Sequence, residues 1–356
     1  GASVARALKA QGVRAVVFEG ERPGAGGSGF PAALVTPRLD AGDLGIAALH
    51  AQALERAAHL YASIPDAVTG HGVLQLPQTP RDAARFEKIA RQPIWNDDMA
   101  VLDEGAASAV AGEATGQGGL LMKGAFALRP AAVLSNWLSD AEMRSERVTR
   151  LERADGRWRL IGEADVVLGE VDAVVLAAGW GSAVLLEGFD QTPRLSPVRG
   201  QADWIDGDVT VHPMAWGGYA VPTGRGVLFG ATHDRGDTDA TPREDDSARN
   251  LATLEARLPE LAKRIAAAGP VQKRAAVRAT TPDRLPVAGA LDDGLYVLGG
   301  LGSRGFCVGP LLGEHIAALV LGQPSPLPRD LAARVSPRRS AVLTDALASS
   351  SPTRAG

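Results

Sequence analysis

Apolar residues at helical spacing are clearest near the two ends of the chain. Gly1 to Gly12 reads as a helix closing on glycine, and from Val308 the residues Leu311, Leu312, Ile316, Leu319 and Val320 recur at i, i+3 and i+4. Residues 43–63 form an amphipathic helix with Leu44, Ala47, Ala48, Ala51, Leu54, Ala58 and Tyr61 on one face and Arg56 and His59 pointing outward. Further helices are expected over 80–91 and 103–110, and from Arg129-Pro130 with Val133, Leu134, Trp137 and Leu138 inward. One long amphipathic helix is expected over 248–268. Short β-rich runs fall at 13–18, 72–76, 116–126, 147–151, 158–161, 165–168, 171–178, 195–204, 271–279 and 295–298. Residues 219–222 and 227–232 make a hairpin across Thr223-Gly224-Arg225-Gly226.

The run from Leu295 to Leu321 organises the rest. A buried strand ends in Gly299, Gly300, Gly302 and Gly305, and a helix follows. Strand, glycine turn and helix aim backbone N–H groups and a positive helix end at an electron-rich ligand. A turn serving only packing is the alternative; four glycines between a strand and a helix favour the ligand. Gly300, Gly302 and Gly305 match G-x-G-x-x-G, but residues 322–328 break structure and no strand with a ribose-binding acid follows. That half stands at the other end, where the helix from Gly1 leads to the run 13–18 and then Glu19. Gly1 takes the place of the last glycine of a dinucleotide fingerprint. Its first strand and phosphate loop would precede Gly1, and the chain, which lacks an initiator Met, is read as cut or incomplete at its start.

Small residues mark two more approaches of backbone to a ligand. One is Gly27-Ser28-Gly29, directly behind the ribose acid, although an ordinary surface loop would look the same. The other is Ala178-Gly179, where the apolar run 171–178 ends. Rossmann-type pieces alternating with β-rich segments predict a mixed α/β fold (α+β in its sheet-rich part). A Rossmann-type nucleotide-binding domain, FAD-binding by the resemblance given below, is drawn from 1–70, 129–198 and 273–335, and a β-sheet-rich substrate domain from 71–128 and 199–272. Residues 336–356 are expected as a flexible tail.

Composition narrows the picture further. A chain of 356 residues holds one to three domains, and a net charge of −4 gives no global case for nucleic acid. A single cysteine, Cys307, excludes an internal disulfide and fits a reducing compartment, so a cytoplasmic location is expected. No apolar run is long enough to span a bilayer, so no membrane partner is expected. His50 and His59 lack partners at metal-ligand spacing, and no metal is expected. The residues carry no signal of oligomeric state.

Several motifs together resemble the D-amino-acid-oxidase-type flavoproteins, which include glycine oxidase and sarcosine oxidase. They are Gly27-Ser28-Gly29-Phe30-Pro31-Ala32, Val198-Arg199-Gly200-Gln201 and the run from Gly230 to Gly236. Glu244-Asp245-Asp246, the run from Val277 to Pro286 and Leu301-Gly302-Ser303-Arg304-Gly305-Phe306-Cys307 complete the set. Within that group the chain is most similar to the FAD-dependent oxidoreductase half of the bifunctional tRNA 5-methylaminomethyl-2-thiouridine biosynthesis enzymes, and the Leu-Gly-Ser-Arg-Gly run separates this branch best. The likeness runs nearly the whole chain, but the first strand, most of the phosphate loop and the methyltransferase half are missing.

The resemblance implies an enzyme with non-covalent FAD that acts on a CH–NH donor. Its tRNA substrate loses the carboxymethyl group of carboxymethylaminomethyl-uridine at the wobble position as glyoxylate, leaving aminomethyl-uridine. A methyltransferase domain or protein would act next. Arg278 is the expected grip on the substrate carboxylate; spacing alone weighs this equally with a structural ion pair, and the resemblance decides for the grip. Tyr219 either closes the same pocket or is a core tyrosine. Cofactor contacts are expected from Gly1, Glu19, Gly27, Ser28, Gly29, Ala178, Gly179, Gly300, Gly302, Ser303, Arg304, Gly305 and Phe306, with Arg304 open between flavin and RNA phosphate. Cys307 reads as a buried thiol, and Ala276 stands where sarcosine oxidases attach flavin covalently. Arg334, Arg338 and Arg339 are candidates for an RNA-facing stripe, with a solvated tail as the plainer reading. The competing functions are an oxidase of free glycine, sarcosine or D-amino acids, and a flavin-less scaffold.

Overall fold

The structure, a computed structural model, describes residues 1–189 and 193–339. The expected tail therefore lies largely outside the described residues. In chain order the first elements are α1 (Ala2–Ala10), β1 (Val16–Phe18), β2 (Ala33–Val35), α2 (Leu44–Ala62), β3 (Val68–Gln75), α3 (Arg81–Ala90), β4 (Met99–Leu102) and α4 (Glu104–Ala111). Then come β5 (Gly119–Leu128), α5 (Pro130–Leu138), β6 (Glu142–Arg144), β7 (Arg150–Ala154), β8 (Arg157–Ile161), β9 (Val167–Val171), β10 (Val174–Leu176) and α6 (Ser182–Leu185). The middle continues through β11 (Ser196–Asp206), β12 (Met214–Ala215), β13 (Tyr219–Pro222), β14 (Gly226–Gly230), β15 (Asp234–Arg235), α7 (Glu244–Glu255) and α8 (Pro259–Ala268). The last elements are β16 (Gln272–Thr280), β17 (Val287–Asp292), β18 (Leu295–Gly299), α9 (Gly305–Val320) and α10 (Arg329–Val335).

The strands of the described residues fall into four sheets. Parallel pairs, the mark of β-α-β connections, occur between β1 and β6 and between β10 and β18, with β17 antiparallel on the far side of β18. A ten-stranded sheet runs β15-β11-β14-β13-β12-β3-β5-β2, with β16 on β11 and β4 on β5. The meander β7-β8-β9 forms the fourth. This is the expected mixed architecture of helices packed on parallel pieces beside a large, mainly antiparallel sheet.

Helix α9 is the hub. Apolar on nearly every side, it is buried along most of its length and packs on α1 and α2. Its contact with α1 is close because Gly313 has no side chain: a Cβ there would meet the Ser3 backbone at 2.8 Å. Tyr61 stacks on Trp137 with ring centroids 5.2 Å apart and donates through Oη to the Phe306 carbonyl at 3.0 Å. These contacts tie α2 and α5 to the start of α9.

Four expectations about individual elements are corrected. The single helix over 248–268 is two, α7 and α8, because Pro259 cannot continue a helix and instead opens α8 after the fully buried Leu258. The run 171–178 likewise divides between the end of β9 and β10. In α2 the buried face is Ile46, Ala47, Leu49, His50, Ala53, Leu54, Ala57 and Tyr61, whereas Leu44 is 60 % exposed in the first turn behind the capping carboxylate of Asp43. Arg56, expected outward, donates to Glu314, which Arg6 also reaches, so the pair joins α2, α9 and α1. The boundaries drawn at 70/71 and 198/199 fall inside β3 and β11, and the one at 272/273 falls inside β16; all three strands belong to the large sheet.

Candidate active site

Strand β16 is the floor of the site. Side chains four residues apart on a strand share a face, which puts Arg274 and Arg278 side by side. Arg274 donates to the carbonyls of Gly24, Ala25 and Gly26 and lies over the Phe30 ring, 5.8 Å from its centroid. It thereby pins the loop that carries Gly27, Ser28 and Gly29 onto the strand. The loop must be glycine-rich: a Cβ at Gly29 would fall 1.8 Å from the Gly24 carbonyl oxygen. Gly27 sits above the Arg278 side chain, its would-be Cβ 3.6 Å from Arg278 Cγ.

The Arg278 guanidinium crosses β11 at Gly200, where the strand has no side chain to block it, and reaches the Thr232 carbonyl at 3.5 Å. Among the described residues it pairs with no carboxylate; the structural ion pair that competed with the carboxylate grip is absent. Tyr219 lies within the electrostatic reach of Arg278, in β13. Burial pushes its phenol up to about 12 against the opposing pull of the Arg278 charge, so it remains a neutral donor at ordinary pH. His233, one residue beyond Thr232, is lowered by burial and then by Arg278.

The glycine turn meets β16 one residue from Arg278. Gly302 N–H donates to the Ala279 carbonyl at 3.1 Å, and Gly300 packs on Thr281, whose methyl carbon would lie 2.9 Å from an added Cβ. Gly300 and Gly302 take φ of 62° and 56°, a left-handed conformation that favours glycine. Ser303 follows, exposed, and α9 starts at Gly305. Ala178 donates its N–H to Ser182 Oγ, and the turn from Gly179 packs near β16. At the end of β1, Glu19 donates its N–H to the Arg144 carbonyl, and its carboxylate acts electrostatically on the Gly1 amine at the start of α1.

Arg278, Tyr219, the loop of Gly27 and Ser28, the turn at Gly179 and the turn from Gly300 to Gly302 thus gather around β16. Gly1 stands at the start of α1, which packs on α9, and its amine feels the charge of Glu19 at the end of β1. Phe306 is half-buried against the helical core and Arg304 extends into the protein toward His50. Cys307 is fully buried, and burial pushes its thiol up to about 12, the state of an unreactive thiol. Arg274 and His233 were missed by sequence reasoning. Arg274 carried a usable signal, an arginine four residues from Arg278 on one strand; His233 carried none beyond its glycine-bounded run. Arg334 instead pairs with Asp43, Arg338 donates to the Leu291 carbonyl and Arg339 to Asp283, so internal bonds engage all three proposed RNA-facing arginines.

A flat cofactor fits this arrangement. A Cβ added at Gly1, Gly26 or Gly179 would meet nothing within 4 Å, so backbone borders open space at each. The α9 N-terminus supplies positive potential nearby. Among the described residues no cluster of three or more His, Cys, Asp or Glu could hold a metal, and no helix is long and apolar enough to cross a membrane.

Known proteins share the sequence and the fold of this chain. The family described as FAD dependent oxidoreductase matches residues 1–319. The tRNA 5-methylaminomethyl-2-thiouridine biosynthesis bifunctional protein MnmC of Caulobacter sp. (strain K31) is 50% identical over 345 residues, covering 95% of this chain and 56% of that protein. Its namesake from Maricaulis maris (strain MCS10) is 38% identical, covering 90% and 50%. The chain spans about half the length of these relatives. Among solved structures, glycine oxidase from Geobacillus kaustophilus superposes with TM-score 0.77 at 22% identity, covering 92% of this chain and 93% of that one. Iminodiacetate oxidase from Chelativorans sp. BNC1 gives 0.78 at 22% identity, covering 94% and 96%.

Proposed function

Since this chain belongs to the FAD-dependent oxidoreductase family, we propose that it oxidises a secondary amine bearing a carboxylate. The substrate is carboxymethylaminomethyl-uridine at the wobble position of tRNA, and the products are aminomethyl-uridine and glyoxylate. The observation that carries the reading is the Arg278 guanidinium beside the glycine turn, which among the described residues meets the Thr232 carbonyl and no carboxylate. The relatives, 50% and 38% identical and named for tRNA modification, support the choice of substrate. A methyltransferase domain or partner protein would take the aminomethyl product.

Arg278 binds the substrate carboxylate through two N–H donors, a match of fork to oxyanion. That bond holds the carbon between nitrogen and carboxylate in one place, and such positioning is worth several powers of ten in rate. Tyr219 Oη, held protonated, donates a hydrogen bond beside the same carboxylate. FAD, when bound without a covalent link, supplies the acceptor for the hydride leaving that carbon. Gly300, Gly302, Gly305 and the α9 N-terminus would hold its ring and favour negative charge there, while Gly1 and Glu19 would hold its ADP half. Water then adds to the C=N bond of the oxidised substrate; the C–N bond breaks, and nitrogen leaves with the nucleoside as a primary amine.

An oxidase of free glycine or sarcosine would use the same Arg278 grip, and the glycine oxidase-like fold fits it. Purified full-length protein incubated with hypomodified tRNA and, separately, with free amino acids separates the two by glyoxylate release. Glyoxylate from tRNA supports the proposal. Release from free glycine alone, with tRNA unchanged, overturns it.

A further inference from the structure

Arg304 presents a problem the proposed chemistry does not solve. It caps α9, and its Nε is buried without a hydrogen-bond partner among the described residues. Burial weighs most on its guanidinium; Cys307, whose thiol burial keeps protonated, is the one group among the described residues that opposes this, and Arg38 and Arg85 add charges of its own sign. A buried cation without a counter-charge is costly.

The surroundings carry the same imbalance. Arg38 comes within 3.4 Å of Asp40, and Arg85 within 3.8 Å of Asp82. Asp40 is also committed to the Gly42 and Asp43 N–H groups. Three guanidinium groups thus share two carboxylates. Beside them His50 is 3 % exposed, and its Nδ1 has no partner among the described residues. Burial, then Arg304 and Arg38, hold its imidazole neutral. Arg38 also bridges to the Asp283 and Arg284 carbonyls at 3.5 Å, just beyond Thr281, on which Gly300 packs. The cluster therefore adjoins the glycine turn, yet it shares no residue with the Arg278 grip.

We propose that Arg38 and Arg304, with His50 beside them, form a second oxyanion site that takes a backbone phosphate of the polynucleotide substrate. This rests on the tRNA reading above. A guanidinium pair matches a phosphodiester as well as a carboxylate. Arg38 and Arg85 keep 32% and 49% of their side-chain surface exposed, so the site opens to solvent, where a polymer backbone would pass. A small amino acid has one carboxylate and Arg278 takes it; a nucleic acid brings the additional anion.

The test compares tRNA with the free carboxymethylaminomethyl nucleoside, using the full-length protein and its Arg38→Met and Arg38→Lys variants matched in flavin absorbance and melting temperature. For Arg38→Met, KM for tRNA should rise about tenfold and the slope of log affinity against log salt should fall by about one. Nucleoside kinetics should stay unchanged, and Arg38→Lys should restore part of the loss. Equal losses on both substrates, or none on tRNA, overturn the phosphate site while leaving the tRNA reading intact. A wild type that oxidises free amino acids only overturns both.

Discussion

Gly200 and Arg278 occupy the same place. A Cβ on Gly200 would lie 1.8 Å from Arg278 Nη2, so the guanidinium crosses β11 through the gap a missing side chain leaves. Gly200→Ala should therefore displace Arg278 without touching substrate. We expect kcat/KM to fall to nearly the level of Arg278→Ala, with flavin absorbance retained. Steady-state kinetics beside a visible spectrum check this, and unchanged kinetics would show that the guanidinium works from another position.

Arg278→Ala removes charge-assisted hydrogen bonds worth about 1.5–3 kcal/mol each, which predicts a loss of roughly 10- to 150-fold per bond in kcat/KM. Arg278→Lys should keep part of the activity, because an ammonium supplies charge without the fork. Stopped-flow reduction of the bound flavin by substrate reads the loss directly.

His50 should make the protein acid-labile. Its imidazole is pushed from 6.5 to about 3, by burial first and then by Arg304 and Arg38. Below pH 6.5 the unfolded chain binds a proton that the folded one refuses, so stability falls as pH drops from 6.5 toward 3. The slope from this group approaches about 1.4 kcal/mol per pH unit. Urea midpoints between pH 7.5 and 5 should decline for the wild type and decline less for His50→Gln.

Gly302→Ala tests the turn. At φ 56° an alanine costs roughly 1–2 kcal/mol, and the nearest atom to its Cβ would be Thr280 Cγ2 at 3.8 Å, so the penalty is conformational and not a clash. We expect a folded protein that purifies with less flavin, measured as the ratio of flavin to protein absorbance.

Much of this was legible in the residues. The glycine turn, the hairpin carrying Tyr219 and the Arg278 strand follow from local rules: small residues where backbone bends, alternation where a sheet buries one face. What escaped depends on three-dimensional company. Nothing local distinguishes Gly200 from a glycine that merely weakens a strand until Arg278 is seen lying across it. Arg334, Arg338 and Arg339 look like solvated charge in one dimension, because their partners Asp43, Leu291 and Asp283 are far away in sequence. The break at Pro259 was visible and was outweighed by the periodicity around it.

Arg339 reaches back to both Asp283 oxygens and to the Leu285 and Pro286 carbonyls, while Arg38 meets the same loop at Asp283 and Arg284. The bend between Arg278 and the glycine turn is thus braced from two distant parts of the chain. Ending the chain after Val335 as a convenience for expression would take away one brace, and the damage would surface as poor catalysis in a protein that still looks folded.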